Sequence, residues 1–337
     1  MKQENKLLPG SLFCLLIGAA AWVMANYIPT VGKLIGGPVF AILLGMILAF
    51  WKRPSAMDAG ITFCSKKILQ YSIIFIGFGM NIRTVLATGG QSLAVMLCTI
   101  AASLLTAFLM GRVLKVPGNT ATLIGVGTSI CGGSAIAATA PVIEADDREV
   151  AYSISTIFLF NILAVFIFPA LGRVFHMTDT GFGIWAGTAI NDTSSVVAAG
   201  FTFSDAAGEL ATIVKLTRTL MIIPITLALT VYRTWKRKQQ GTAAASNYSI
   251  VKIFPWFVLG FLLTAILNST GWIPSAASSW LNELGKFGIM VAMAGIGLNT
   301  NLKSLVKNGV RPIALGLCCW FVVAVVSLVV QHLLHLV

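Results

Sequence analysis

The chain has 337 residues, of which 57% are hydrophobic and only 10% charged, with a net charge of +12 and a mean hydropathy of +0.89. A soluble domain carries about 25% charged residues, so the composition excludes a water-soluble globular protein and assigns an integral membrane protein with room for about ten spans of roughly 20 residues. The basic excess sits at the ends of apolar runs and forms no stripe interleaved with aromatics, which excludes a nucleic-acid surface.

In chain order, a short polar start, Met1 to Lys6, leads into a first apolar run at 8–26. That run is too long for the core of a cleaved signal peptide and lacks a small-residue cleavage site, so it reads as a retained anchor. Further runs at 34–51, 68–82, 92–114, 150–172, 208–232, 253–270, 285–300 and 312–335 bring the expected spans to nine. Two polar-centred segments, 119–142 and 180–204, raise the membrane elements to 11. Helix is the expected state throughout, because lipid demands internally satisfied backbones and the runs lack the two-residue alternation of a barrel. The expectation is an all-α polytopic protein, one transmembrane domain over 1–337 with a basic linker at 233–252.

Lys2, Lys6, Lys52, Arg53, Lys66, Lys67, Arg112, Lys115, Arg233, Lys236, Arg237, Lys238, Lys252, Lys303, Lys307 and Arg311 all fall on one face if each span crosses once. By the positive-inside rule that face is cytoplasmic, with the N-terminus inside and the C-terminus outside. The six cysteines show no metal-type spacing and three histidines form no cluster. No nucleophile elbow, HExxH or P-loop occurs, so the chain reads as a non-enzyme without a resident cofactor.

The two polar-centred segments repeat one pattern. Gly127-Thr128-Ser129-Ile130-Cys131-Gly132-Gly133-Ser134-Ala135-Ile136-Ala137-Ala138 aligns with Gly187-Thr188-Ala189-Ile190-Asn191-Asp192-Thr193-Ser194-Ser195-Val196-Val197-Ala198, and five of twelve positions are identical. Glycine is costly inside a helix, and paired interrupted helices mark the binding site of many transporters. The free N–H groups and positive ends of broken helices suit an oxyanion. The expected anion site is therefore Thr128, Ser129, Cys131, Gly132, Gly133 and Ser134 with Asn191, Thr193, Ser194 and Ser195. The bland alternative is small residues that only permit tight helix packing.

Asp192 is an acidic residue inside an apolar-flanked core, a candidate proton carrier or Na⁺ ligand, or else a helix cap at the break. Lys215 and Arg218 lie three apart on one face of the following run, where the first segment has Ser155 and Phe158. They are candidate cations for neutralising the anion, or they snorkel to headgroups. A second similarity links Gly77-Phe78-Gly79-Met80-Asn81 with Gly295-Ile296-Gly297-Leu298-Asn299. The charge count has these two spans crossing in opposite directions, as an inverted duplication would. Charge counting leaves open whether the polar-centred segments cross or re-enter, because two crossings or two re-entries give the same downstream orientation.

The run Thr128 to Ala135, followed by Ala140-Pro141-Val142-Ile143, Val196 to Gly200 and Lys215-Leu216-Thr217-Arg218, resembles the YeiH-like family of bacterial inner-membrane proteins over nearly the whole chain. Members carry the label sulfate exporter, and some relatives are linked to small sulfonates. The resemblance implies a secondary transporter with inverted repeats, akin to cation–proton antiporters. Some members carry His-Glu where this chain has Asn191-Asp192 and Arg where it has Gly79. The leading expectation is an alternating-access exporter of a small inorganic or organic anion, sulfate or a sulfonate, with H⁺ or Na⁺ as coupling ion. A Na⁺/H⁺ or K⁺/H⁺ antiporter with Asp192 as exchange carboxylate, or a non-transporting scaffold or channel, are the alternatives. The bilayer is the certain partner, and a homodimer is one assembly left open.

Overall fold

The computed structural model describes residues 4–27, 36–51, 53–222, 224, 225, 228, 229, 231, 256–300 and 309–336. The basic linker at 233–252 and Lys33, Lys52, Lys303 and Lys307 lie outside the described residues. Among those described, every regular element is a helix. In chain order these are α1 (Glu4–Tyr27), α2 (Gly37–Leu48), α3 (Ser55–Gly79), α4 (Ile82–Val113), α5 (Gly118–Ser129), α6 (Gly133–Ile143), α7 (Asp147–Val174), α8 (Asp179–Ala189), α9 (Thr193–Phe203), α10 (Asp205–Leu220), α11 (Trp256–Ser269), α12 (Ser275–Asn299) and α13 (Val310–Leu333). Six of them, α1, α3, α4, α7, α12 and α13, are long and apolar enough to cross a bilayer. This is a multi-pass helical membrane protein. The expected run at 68–82 covers only the second half of α3, whose first half carries the charges that hide it from a hydropathy reading.

α3 is a composite. A 3₁₀ turn (Ser55–Met57) enters an α-helical stretch, a π turn covers Cys64–Ile68, and a second α-helical stretch ends in a 3₁₀ turn at Gly77–Gly79. π turns displace side chains from the regular helical rows and recur at functional sites.

Both polar-centred segments are broken helices, and each doubles back on itself. In the first, the break lies at residues 130–132 between α5 and α6. Asn119, at the start of α5, donates to Glu149 Oε2 at 3.1 Å, and Glu149 completes the capping box of α7 just beyond the end of α6. Ser153 Oγ reaches the Thr120 carbonyl, and a Cβ on Gly127 would meet Ile136 at 2.9 Å. Start and finish of this hairpin are therefore at one end of the molecule, with the break at the tip. In the second, Ser204 Oγ donates to Asp179 Oδ1 at 2.5 Å, and the rings of Phe182 and Phe203 stack at 4.0 Å. Gly183 and Gly200 both abut the 207–211 stretch of α10.

α7 relates the two hairpins. Its N-terminal turn holds the base of the first, through Glu149. Its C-terminal turn holds the base of the second, where Gly172 abuts Phe182 and Arg173 Nη2 donates to the Thr202 carbonyl at 2.6 Å. At 28 residues α7 is about 42 Å long, so the hairpins enter from opposite ends and their tips meet beside its middle.

The helices divide into two packed bodies. One comprises α1, α2, α3, α11 and α12; the other comprises α4 to α10 and α13. Small residues set the closest crossings of the first body, since a Cβ on Gly45 would stand 3.0 Å from Gly297 Cα. In the second body, Phe160, Phe168, Trp185 and Trp320 form a continuous ring cluster between α7, α8 and α13. At the end where the second hairpin enters, Lys286 of α12 pairs with Asp205 of α10 at 2.7 Å, joining the two bodies.

Candidate functional site at two crossed helix breaks

The tips differ in how they break. At the first, Ile130 adopts φ −119°, ψ −89° and Gly132 adopts φ +71°. A side chain at Gly132 would be strained by its φ and would also stand 3.3 Å from Ile157 and 3.5 Å from Asp192 Cβ, so glycine lets the tips touch. At the second, Ile190 and Asp192 are extended, with ψ 137° and 156°. Both breaks free carbonyls at the ends of α5 and α8 and N–H groups at the starts of α6 and α9.

The freed carbonyls are taken by two side chains of α10. Lys215 Nζ donates to the carbonyls of Ile130 at 2.8 Å and Ile190 at 3.0 Å. Arg218 Nε donates to Ser129 O at 2.8 Å, Nη2 to Thr128 O at 2.6 Å, and Nη1 to Thr188 O. Each cation thus bonds both tips, and both residues are wholly buried. This departs from the expectation that Lys215 and Arg218 face a guest. They sit behind the tips, where the negative half-helix ends hold them more strongly than an exposed site would.

The freed N–H ends face the other way, toward a cavity of about 720 Å³ between the two bodies. Cys131, Gly133, Ser134, Asp192, Thr193 and Ser194 line it, so six of the predicted residues meet on one wall. No side chain caps α6. α9 is capped by Asp192, whose Oδ1 accepts the Ser195 N–H at 2.9 Å while Oδ2 accepts the Ser194 hydroxyl. Asp192 and Lys215 form no salt bridge with each other, and Lys215 Nζ points instead to the two tip carbonyls.

The remaining predicted residues lie behind this wall. Thr128, Ser129, Gly132, Asn191 and Ser195 are all buried. Ser129 Oγ donates within its own helix to Val126 O. The Thr128 hydroxyl and both amide atoms of Asn191 and Asn161 are buried without a hydrogen-bond partner. Asn81 caps α4 through the Arg83 N–H, and Asn299 accepts from Arg53, so these two asparagines are structural.

The opposite wall was missed by sequence reasoning. Ser65, Lys66, Leu69, Gln70 and Ile73 of α3 present one face to the cavity, and Phe158, Thr219 and Phe257 complete it. Lys66 stands exposed on the π turn. It reads from sequence as a loop charge, and no signal short of the π turn itself would have moved it to the cavity.

Comparison with known proteins places the chain among relatives. Residues 9–316 match the family model described as conserved hypothetical protein 698. A UPF0324 membrane protein of Streptococcus mutans is 50% identical over 99% of both chains. A UPF0324 membrane protein of Fusobacterium nucleatum is 44% identical over 98% of this chain and 99% of its own length. One from Streptococcus pyogenes is 49% identical over 98% of each.

Proposed function

The chain belongs to the conserved hypothetical protein 698 family, the family of the UPF0324 membrane proteins, and from its crossed helix breaks we propose that it is a secondary active transporter of a small anion working by alternating access. One observation carries the reading: the N-terminal ends of two half-helices, arriving from opposite ends of the molecule, open onto one cavity between two packed bodies. Half-helix N-termini at membrane depth attract anions.

Charge at the crossing favours the same sign of guest. Two half-helix C-termini carry together about one negative charge, and Lys215 and Arg218 exceed that by about one positive charge. Asp192 offsets the excess, and the two N-termini supply about one positive charge more. Lys66 adds a cation on the facing wall. Sulfate or a sulfonate fits this balance. Asp192 is the coupling group: once protonated it leaves the wall more positive, so proton and anion bind cooperatively.

Two hairpins of opposite entry, each followed by a helix, support an inverted duplication. α3 and α12, ending in the paired Gly-x-Gly-x-Asn motifs, with the α4 and α13 that follow them, are the other related pairs in a permuted order. The cavity runs from the tips along Ala137, Ala138 and Ile154 toward the base of the first hairpin, the end that carries Arg112 and Lys115, which by the positive-inside rule is cytoplasmic in a bacterial inner membrane. The N-terminus is then inside and the C-terminus outside.

The test is flux in liposomes holding purified protein. The expected result is saturable, gradient-driven movement of sulfate or a small sulfonate that responds to an imposed pH gradient. Absence of saturable flux for every anion tried, or cation–proton exchange without added anion, overturns the reading.

A further inference from the structure

Lys215 Nζ lies 2.8 Å from Ile130 O and 3.0 Å from Ile190 O. Each oxygen comes from the frayed C-terminal end of a half-helix, one from each hairpin. Such ends are where transporters of broken-helix architecture hold a mobile Na⁺. An ammonium bridging two carbonyls from two tips therefore occupies the position of a coordinated ion. Arg218 takes the adjoining carbonyls of Thr128, Ser129 and Thr188.

We infer that Lys215 and Arg218 are tethered cations standing where a mobile monovalent ion would otherwise join the two tips, so that the crossing excludes Na⁺ and transport runs without it. The first half stands on geometry alone; the second rests on the transport reading above. A Na⁺ placed about 4 Å from the ammonium would be weakened by roughly a thousandfold in a partly screened interior.

A second observation concerns the same tips. The amides of Asn191 and Asn161, 1% and 2% exposed, and the Thr128 hydroxyl have no partner. A Cβ on Gly132 would stand 3.7 Å from Asn161 Nδ2, so that amide lies against the first tip. Amide and hydroxyl oxygens are ligands for a hard cation. Removing the ammonium frees the Ile130 and Ile190 carbonyls at tips that already hold these unpartnered groups, and Lys215→Ala is expected to open a Na⁺ or Li⁺ site there. A merely structural lysine gives no such gain, because Na⁺ then has no place to enter.

The experiment is thermal unfolding of the purified full-length chain in NaCl, LiCl, KCl or choline chloride at equal chloride. Wild type is expected to unfold at the same temperature in all four. Lys215→Ala is expected to unfold earlier in choline and to recover by about 3 °C in about 300 mM Na⁺ or Li⁺. A Na⁺-specific rise in wild type overturns the inference, as does a folded Lys215→Ala that ignores both ions. The wild-type comparison decides by itself if the variant does not fold. Equal anion flux in sodium and choline media is the matching transport result. Loss of flux in both media would instead sink the transport reading and leave the tethered cation in place.

Discussion

Arg218 holds three carbonyl oxygens of two separate segments with one planar group. Its removal leaves those oxygens buried and unpaired and Lys215 as the sole cation. Arg218→Ala should therefore cost about 3–5 kcal/mol of stability, and Arg218→Lys, which has no fork, should recover only part of it. Thermal unfolding of the two variants checks both the size and the order. Asp192 has a different task at the same crossing. Asp192→Asn keeps an oxygen for the Ser195 N–H, so it should leave stability within about 1 kcal/mol. It should also abolish the response of anion flux to an imposed pH gradient. A flux that still follows the gradient would remove Asp192 as the coupling group.

At the level of elements, the breaks were legible and their consequences were not. Gly132 and Gly133 beside Ser129 and Ser134, and Asn191-Asp192 beside Thr193, stand out because apolar surroundings make polar and glycine residues costly. The doubling-back was invisible to charge counting, since a hairpin and two crossings leave the next helix in the same direction. Contacts such as Asn119 with Glu149 and Ser204 with Asp179 settle it, and they join residues 30 and 25 positions apart. Lys215 and Arg218 were recognisable as cations inside an apolar run, but their partners are backbone oxygens 85 to 90 and 25 to 30 positions away, which carry no side-chain signature. Lys66 was hidden by the opposite problem, a charge where loops are expected. Its place on the cavity wall leads to a prediction: Lys66→Gln should raise the anion KM several-fold with stability within about 0.5 kcal/mol. Equal KM values for variant and wild type would take Lys66 out of the binding wall.

For the whole molecule, the cavity runs toward the base of the first hairpin, and the bodies are joined at the other end by Lys286 and Asp205. Asp205 is 68% exposed in its side chain, so the pair contributes about 0.2–1 kcal/mol. That is too little to hold the fold and enough to bias two arrangements of similar energy. Asp205→Asn should leave the unfolding temperature nearly unchanged while slowing impermeant-maleimide labelling of Cys131 from the cytoplasmic side, in a chain whose other cysteines are replaced by serine. Cys131 lines the cavity, and saturating anion should protect it.

The bonds from Lys215 and Arg218 to both hairpin tips have a mechanical outcome. Parting the tips would strand five carbonyl oxygens and two charges in a dry interior. The riveted pair must then travel as a single piece, and any switch of access has to be a glide or tilt of that piece along the α3–α12 wall, with the passenger aboard for the whole trip.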